Sequence, residues 1–525
     1  MKTKFNEDKR SRERYVEFNP SALRHVAAKA TGRDYCENSR IYKVAEGGFN
    51  KVFLLETDDG REVVARIPTP ISGPPHYSTA SEVATINFLR NVLQIPVPRI
   101  LDYSPSLMNN PVGAEYIIME RVQGESLASR WLTLSTDEVK HIMTQIAEIE
   151  QKMFDYKFPG YGCLYHKHDI EDEENHLSLQ VEDFCIGPVA TRQFWHDERG
   201  MMEVDRGPWT SAEDAMTAAA RRELSHLRHH AKPKPRQTFL LPTDYDIDPR
   251  EHASLLSKFL QLAPFLVPAA EKTYLQQQHN HSTLRHPDLS LANILLVPGS
   301  TQIASIIDWQ DATILPLFIQ SGYPDFCEHD TSRPQSLKIP TLPEEYYRMS
   351  EQEQIKTMVN FRLEEANLYY TAATGIHNKK HLNALRTIPH LGMRQYLIQQ
   401  TAYPWDADVI NLRAALVGIT DPDIWSTGIS SLPCPVSFSK EERKAAMDES
   451  SEWNESEALL SRVRSELGID LEGGTEPENF EWAAQKNAEL RLEMLRQCDV
   501  HEREICWRNW PYKDDEDVSS PPHLD

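Results

Sequence analysis

The chain has 525 residues, of which 40% are hydrophobic and 26% are charged, and its formal net charge is −23. This length is too great for one hydrophobic core and predicts roughly two to four packed units. The acidic charge argues against nucleic acid or an anionic membrane as a partner, because phosphate polyanions would be repelled.

The first segment, residues 1–36, begins with basic residues but also carries Glu7, Asp8, Glu13 and Glu17. Mitochondrial transit peptides avoid acidic residues, and the segment has no apolar stretch of the secretory kind. We therefore predict an N-terminal helical extension. No apolar run in the chain reaches the roughly 18 residues that a membrane span needs, so we expect no membrane partner.

The next segment, residues 37–122, opens with alternating apolar and polar residues that are interrupted at Gly47-Gly48 and at Asp59-Gly60. This pattern predicts three antiparallel strands. The glycines of the first turn would let its backbone lie against phosphate groups. Taken alone the signal is weak, because two adjacent glycines between strands are most often only a turn.

The third of these strands contains Arg66, and the amphipathic helix that follows contains Glu82. A strand cation paired with a helix glutamate is the arrangement that positions nucleotide phosphates in kinases. The alternative is an ordinary surface ion pair. Two further strand patterns, at 96–104 and 113–122, complete a predicted lobe of five strands and one helix.

A larger unit, residues 123–510, shows mainly helical apolar spacing. Its first long helix is predicted to start at Ser135, with Glu138 completing a capping box. Residues of about 165–250 form an insertion of charged loops and one helix, without readable chemistry. The acidic, proline-bearing residues 511–525 are predicted to be disordered.

The segment HPDLSLANILL and the apolar run IASIIDW together supply Asp288, Asn293 and Asp308. If a turn near residues 298–301 joins two strands, Asn293 and Asp308 finish at the same end of a hairpin. Phosphoryl transfer needs a carboxylate to orient the attacking hydroxyl, and an amide oxygen and a second carboxylate to hold magnesium. We therefore predict a kinase-type active site.

Several motifs in this order resemble the aminoglycoside phosphotransferase family, and they are most similar to its fungal branch named for altered inheritance of mitochondria. The resemblance covers roughly residues 12–420. It implies an α+β, protein-kinase-like two-lobe fold, with a five-stranded antiparallel N-lobe sheet, one helix and a larger, mainly helical C-lobe. The motifs are EGGFNKVFLLETDDGREVVARIPTP, GPPHYSTASEVATINFLRN, PVGAEYIIMERVQGESL, HPDLSLANILL and IIDWQDATILPLF.

The resemblance also assigns roles to residues of the catalytic segment. Asp288 matches the catalytic base of the family, and Asn293 and Asp308 match its magnesium ligands. His286 matches a residue that mostly supports the catalytic loop, and a buried structural histidine is an equal alternative.

The implied nucleotide is ATP, bound with Mg2+ between the two lobes. Its phosphates would contact the glycine turn and Arg66, with Glu82 as the partner of that cation, and its base would meet backbone groups after the fifth strand. The residues assigned to ATP are Gly47, Gly48, Arg66, Glu82, Met119 and Arg121.

The chain departs from the family pattern at three places. Arg66 stands where most of these enzymes have Lys, and its planar fork contacts phosphate with a different geometry. Pro287 stands where many relatives have Gly. Trp309 and Gln310 follow the metal-binding Asp where protein kinases have Phe-Gly, and no activation segment of the protein-kinase type is evident.

The preferred function is transfer of the ATP γ-phosphate to a hydroxyl of an unidentified small molecule. The first alternative is a nucleotide-binding pseudokinase that acts as a regulator or scaffold, which Arg66 favours and the intact acidic groups oppose. The second is a purely structural interaction protein, which has no need of three aligned metal-competent groups.

Seven cysteines, spread from Cys36 to Cys506, form no disulfide framework and are typical of a reducing compartment. We expect a soluble intracellular protein. The resemblance indicates the mitochondrion, and the N-terminal residues are equally compatible with the cytoplasm.

Overall fold

The computed structural model describes residues 5–32, 40–56, 60–170, 175–268, 279–328, 339–470, 473–499, 503–514 and 520–522. Asp59 of the second predicted turn lies outside these residues. The described chain folds into two lobes, and the predicted α+β architecture is confirmed.

The first lobe and the segment before it extend to Glu120. Their elements are α1 (Glu7–Glu13), α2 (Pro20–Ala30), β1 (Arg40–Glu46), β2 (Asn50–Glu56), β3 (Glu62–Pro68), α3 (Tyr77–Asn91), β4 (Ile100–Ser104) and β5 (Tyr116–Glu120). The strands form one antiparallel sheet in the order β1-β2-β3-β5-β4. The prediction of five antiparallel strands is confirmed, and β3 is the central strand.

The N-terminal helix α2 covers part of this sheet. Its residues Leu23 and Ala27 are buried in the same apolar cluster as Phe53 of β2 and Ile118 of β5. Asn19 caps the helix by accepting hydrogen bonds from two backbone N–H groups of its first turn. The predicted extension therefore contributes to the core of the first lobe.

The second lobe contains the larger apolar core and begins with β6 (Glu125–Ser126), α4 (Leu127–Arg130) and α5 (Thr136–Asp155). The capping box predicted for α5 is present: Ser135 Oγ accepts from the backbone N–H of Glu138, and the Glu138 carboxylate accepts from the N–H of Ser135. This reciprocal pair fixes the start of the helix.

The remaining elements follow in chain order. They are β7 (Cys163–His166), β8 (Leu177–Ser178), β9 (Phe184–Gly187), α6 (Ala212–His229), α7 (Pro249–Leu266), β10 (Ser282–Leu284), β11 (Ile294–Leu296), β12 (Ile303–Ile306), β13 (Ile314–Pro316), α8 (Leu317–Gln320), α9 (Glu351–His377), α10 (Lys379–Thr387), α11 (Leu391–Ala402), α12 (Ile410–Ile419), α13 (Pro422–Ile424), α14 (Lys440–Leu467), α15 (Phe480–Gln497) and α16 (Arg503–Arg508). Among the described residues, no helix combines the length and the apolar character that a membrane span requires.

The predicted insertion, residues 165–250, contacts both lobes. Strands β7, β9 and β8 form a small antiparallel sheet, and β7 packs against α3. On the other side, Glu223 of α6 accepts hydrogen bonds from Arg199 at 2.8 and 2.6 Å and from the backbone N–H of Trp405 at 2.8 Å. The insertion thus connects α3 to the helical lobe, while residues 171–174 lie outside the described chain.

The C-terminal helices fold back onto the N-terminal segment. The ring of Phe5 packs edge-on against Tyr512, with centroids 6.2 Å apart, and the Tyr512 hydroxyl accepts a hydrogen bond from Arg464 at 3.3 Å. Because Tyr512 is buried, the packed chain extends into residues 511–525, which the sequence analysis assigned to a disordered tail. Residues 515–519 and 523–525 of that tail are not described.

A buried ion pair lies behind the loop that carries the central motif. Arg285 Nε donates to Glu150 Oε1 at 2.9 Å, and its two Nη groups donate to the carbonyls of Gln320 and Gly322 at 3.0 and 2.9 Å. The Tyr370 hydroxyl donates to the other Glu150 oxygen. The side chains of Glu150 and Arg285 are only 2% and 13% exposed. The ion pair that joins α5 to the start of the loop is therefore largely shielded from solvent.

Replacing Glu150 with Gln leaves Arg285 buried without its counter-charge. We expect the free energy of unfolding to fall by about 3–5 kcal/mol, the cost of breaking a buried ion pair from one side. Denaturant titration followed by circular dichroism measures it. Arg221→Ala, which removes an exposed pair with Asp214, is the matched control and should change stability little. Equal effects of the two substitutions would contradict the assignment.

Candidate active site

The central motif forms the predicted hairpin. Strands β11 and β12 pair Ile294 with Ile306, and the turn between them is closed by the Val297 N–H donating to the carbonyl of Gln302 at 2.9 Å. At the open end, the Ile307 N–H donates to the carbonyl of Asn293 at 2.9 Å. Asn293 and Asp308 therefore finish at the same end, as the sequence predicted.

Asp308 follows β12 in a left-handed backbone conformation, with φ of 67°. Such conformations are uncommon for residues with a side chain, although Asp tolerates them better than most. The Asp308 side chain is 53% exposed. Backbone strain of this kind is concentrated at functional sites, and here it turns a carboxylate toward open space.

His286 ties the catalytic loop to the segment before Asp308. Its Nε2 donates to the carbonyl of Ile307 at 3.0 Å, and its Nδ1 accepts from the backbone N–H of Asp288 at 3.1 Å. The ring packs edge-on against Trp309. Burial lowers the pKa of His286 to about 4, so the ring is neutral at physiological pH. These contacts make His286 a positioning residue.

Asp288 presents an exposed side chain at the start of the hairpin. Its backbone carbonyl accepts a hydrogen bond from Asn293 Nδ2 at 2.9 Å, which fixes the two residues relative to each other. Partial burial raises the pKa of Asp288, and the charges of Asp325 and Asp308 raise it further. The carboxylate is thereby more basic than an ordinary aspartate.

Arg66, on the central strand, contacts residues on both sides of the space between the two lobes, which we call the cleft. Its Nη1 donates to Glu82 of α3 and lies 3.4 Å from Asp308 Oδ1. Arg66 and Glu82 are 8% and 5% exposed. The structure therefore brings the predicted strand cation, its helix partner and the predicted metal ligand together, and Arg66 points into the cleft.

Gln310 is a contact that the sequence analysis did not assign. Its Oε1 accepts from Arg66 Nη2 at 2.6 Å and from Asn50 Nδ2 at 2.7 Å, and its Nε2 donates to the carbonyl of Ser72 at 2.8 Å. The sequence singled out Gln310 only as a departure from the Phe-Gly of protein kinases. Its position two residues after Asp308 was the available signal.

The cleft gathers three carboxylates in partly buried surroundings. Burial, opposed by Arg66, raises the pKa of Glu82 to about 7. Burial also raises the pKa of Asp311 to about 6, with Arg66 lowering it and Asp308 raising it. Asp311 Oδ1 is buried and has no hydrogen-bond partner among the described residues. Asp311 is the second residue, after Gln310, that the sequence analysis did not assign to this site.

The glycine turn joins β1 and β2 above this cluster. The Gly47 N–H donates to the carbonyl of Asn50 at 3.0 Å. A Cβ built on Gly47 would meet no described atom within 4 Å, and its backbone is outside the left-handed region. The space beside the Gly47 Cα is open, and the fold itself does not require glycine there.

Met119 and Arg121 are placed by the sheet. Met119 lies within β5 opposite Val64 of β3 and Ile100 of β4. Arg121 follows the strand and forms an ion pair with Glu62. The contact of Met119 and Arg121 with a nucleotide base stays a prediction. Met119 belongs to β5, and the chain leaves this strand after Glu120.

Among the described residues, no group of three or more His, Cys, Asp or Glu side chains is arranged to hold a metal ion. The predicted magnesium site needs only Asn293 and Asp308 from the protein, with phosphate and water oxygens completing the shell. Asn293 uses its amide nitrogen in the bond to Asp288, so its amide oxygen is the atom that it could offer to a metal ion. The donor set therefore fits Mg2+.

The chain is similar to proteins of a known family. A model of the phosphotransferase enzyme family matches residues 41–319. Two proteins of Aspergillus fumigatus strains, each named a subtelomeric hrmA-associated cluster protein, are 60% identical to this chain over 519 residues. These matches cover 93% of this chain and 99% of each relative.

A more distant relative is altered inheritance of mitochondria protein 9, mitochondrial, of Komagataella phaffii. It is 26% identical over 350 residues, which cover 60% of this chain and 53% of that protein. Similar solved structures include a putative fructosamine-3-kinase of Thermobifida fusca, with a TM-score of 0.38, 12% identity and coverage of 82% and 100%. The resemblance to the altered-inheritance branch is confirmed, and the Aspergillus proteins are more similar to this chain.

His286→Asn should reduce the pH dependence of stability. The unfolded histidine binds a proton near pH 6.5 and the folded one only near pH 4, so protonation of the unfolded state lowers wild-type stability as the pH falls through this window. The loss between pH 7 and pH 5 is about 2 kcal/mol. Denaturant titrations at both pH values test it, with exposed His229→Asn as control. Parallel curves for wild type and His286→Asn would contradict the assignment.

Gln310→Ala removes the acceptor that holds the second Nη group of Arg66. Gln310 fixes the orientation of the guanidinium that is predicted to contact phosphate. Because a hydrogen bond to a charged group contributes about 1.5–3 kcal/mol, we expect its loss to lower MgATP affinity by about tenfold in isothermal titration calorimetry. Gln302→Ala, on the exposed hairpin turn, is the control. Tighter binding by Gln310→Ala would show instead that Gln310 competes with phosphate for Arg66.

Proposed function

This chain belongs to the phosphotransferase enzyme family, and on that basis we propose that it transfers the γ-phosphate of ATP to a hydroxyl of a small molecule. One observation carries the proposal. Arg66 of the first lobe lies 3.4 Å from Asp308 of the second lobe and is paired with Glu82. The groups that hold and neutralise transferring phosphate thus meet across one cleft.

Asp288 is the residue proposed to act on the acceptor. Its carboxylate is exposed and its pKa is raised by partial burial and by neighbouring carboxylates. It would accept a hydrogen bond from the acceptor hydroxyl and take its proton as the new bond from that oxygen to the γ-phosphorus forms. The bond between the γ-phosphorus and the β–γ bridging oxygen breaks in the same step, and ADP leaves. His286 holds the backbone of Asp288 in place for this step.

Phosphate positioning is assigned to the first lobe. Arg66 supplies a guanidinium that Glu82 holds in place, and the open space beside Gly47 would let a phosphate approach that backbone. Asn293 and Asp308 would hold Mg2+ from below. When bound there, Mg2+ would supply positive charge that offsets the charge on the phosphate oxygens.

The chain after the hairpin favours a small acceptor. Residues 309–328 are all described, and they pass directly through β13 and α8. They contain no long segment of the kind on which protein kinases bind a peptide. This favours a compact acceptor that bears a hydroxyl over a peptide.

One observation favours a second candidate, nucleotide binding without transfer. Both Nη groups of Arg66 are already engaged, by Glu82 and by Gln310. If these contacts persist when nucleotide binds, Arg66 contributes charge but few direct phosphate bonds. The protein would then act as a nucleotide-dependent regulator.

Calorimetric titration with ATP, with and without magnesium, tests the proposal. Wild type should bind ATP in a magnesium-dependent way, and Asp308→Ala should lose that dependence because a metal ligand is gone. Asp288→Asn should bind MgATP like wild type but show no transfer to any acceptor, measured as loss of at least about a hundredfold in rate. Asp246→Asn, an exposed substitution, is the control.

The outcomes separate the candidates. Absence of nucleotide binding by the wild type would overturn both. Binding that ignores magnesium and survives Asp308→Ala would favour the regulator. Magnesium-dependent binding with no turnover across sugars, amino alcohols and aminoglycosides as acceptors would also count against transfer.

A mitochondrial location is a further part of the proposal and is supported only by the name of the distant relatives. Fluorescence imaging of the chain with a C-terminal tag, against mitochondrial and cytosolic markers, tests it. Uniform cytosolic signal would contradict this part without affecting the catalytic proposal.

A further inference from the structure

The insertion reaches the phosphate side of the cleft through Arg192. This residue begins a short 3-10 turn, Arg192–Phe194, after β9. Its guanidinium carbon lies 5.4 Å from the ring centroid of Phe49, the residue that follows Gly48 in the glycine turn. A side chain from the second lobe thus touches the turn that is expected to cover phosphate.

Arg192 also lies near Asp311, on the loop that follows Asp308. Its charge lowers the pKa of Asp311, as the charge of Arg66 does. Arg66 of the first lobe and Arg192 of the second lobe therefore both lie near Asp311. The buried Nε of Arg192 has no hydrogen-bond partner among the described residues. An unpaired guanidinium N–H in a partly buried place is costly unless a ligand satisfies it.

Space for an anion is present beside this side chain. A cavity of about 440 Å³ is lined by Gly48 and Phe49 of the glycine turn, by Ile71 and Arg192, and by residues of the N-terminal segment that include Lys9, Arg10, Glu13 and Arg14. Its basic side chains outnumber its one acidic side chain, that of Glu13, so the lining favours a negatively charged group.

The acidic groups around Arg66 favour a second cation at the phosphate side. Glu82, Asp308 and Asp311 bring three carboxyl groups together, and Arg66 pairs with the first of them. The Nη groups of Arg66 are engaged by Glu82 and Gln310. Arg192 is a second cation, close enough to Asp311 for its charge to lower the pKa of that carboxyl.

We propose that Arg192 is a phosphate-binding residue, which donates from its guanidinium to the terminal phosphates of the nucleotide beneath the glycine turn. The insertion is then part of the nucleotide site. This inference rests on the proposed function. The competing explanation is that Arg192 only packs on Phe49 and supports the turn.

The test compares Arg192→Ala, Arg192→Lys and Arg221→Ala by isothermal titration calorimetry with MgATP and with AMP. We expect Arg192→Ala to weaken MgATP binding by about tenfold to a hundredfold, the usual effect of losing a charge-assisted bond. AMP, which lacks the terminal phosphates, should be affected by less than about threefold. Arg192→Lys should recover part of the MgATP affinity because it keeps the charge.

Arg221→Ala removes an arginine of the same insertion that pairs with Asp214 on the surface, and it should bind like wild type. If wild type binds MgATP and Arg192→Ala binds it equally well, the inference is overturned and the proposed function stands. A loss that is equal for MgATP and AMP, and that Lys does not restore, assigns Arg192 a structural role and overturns it too. If wild type binds no nucleotide, the proposed function fails and this inference fails with it.

Discussion

The structure depends on a buried cation at the junction of the two lobes. Arg66 is 8% exposed and Glu82 is 5% exposed, so both charges have lost most of their hydration and each needs the other. The same guanidinium also lies beside Asp308 and donates to Gln310. One side chain therefore fixes the helix α3, the central strand and the end of the hairpin that carries Asp308 relative to each other.

The loop that carries Asp288 is fixed by contacts with α5 as well as by contacts with the hairpin. Arg285, at the start of this loop, forms an ion pair with Glu150 of α5 and donates hydrogen bonds to two backbone carbonyls. The next residue, His286, bridges the loop to the backbone before Asp308. Such preorganisation suits phosphoryl transfer, in which a protein does little covalent chemistry and mainly keeps charged groups at fixed positions.

The segments outside the shared two-lobe core contribute to it. The N-terminal helix α2 adds Leu23 and Ala27 to the core of the sheet, and Phe5 packs against Tyr512 near the C-terminus. The insertion ties α3 to the helical lobe and brings Arg192 to the glycine turn. The insertion therefore links the two lobes at a place other than Arg66.

The sequence by itself determined the five-stranded sheet, the capped helix α5 and the hairpin that aligns Asn293 with Asp308. These depend on local signals, namely alternation, turn residues and an N-cap, which act over a few residues. Only the tertiary structure decided the partners of Gln310, Asp311 and Arg192. Gln310 and Arg66 are separated by 244 positions in the chain. A polar side chain far from its partner carries no periodic signal, so packing of the two lobes determines which charges meet.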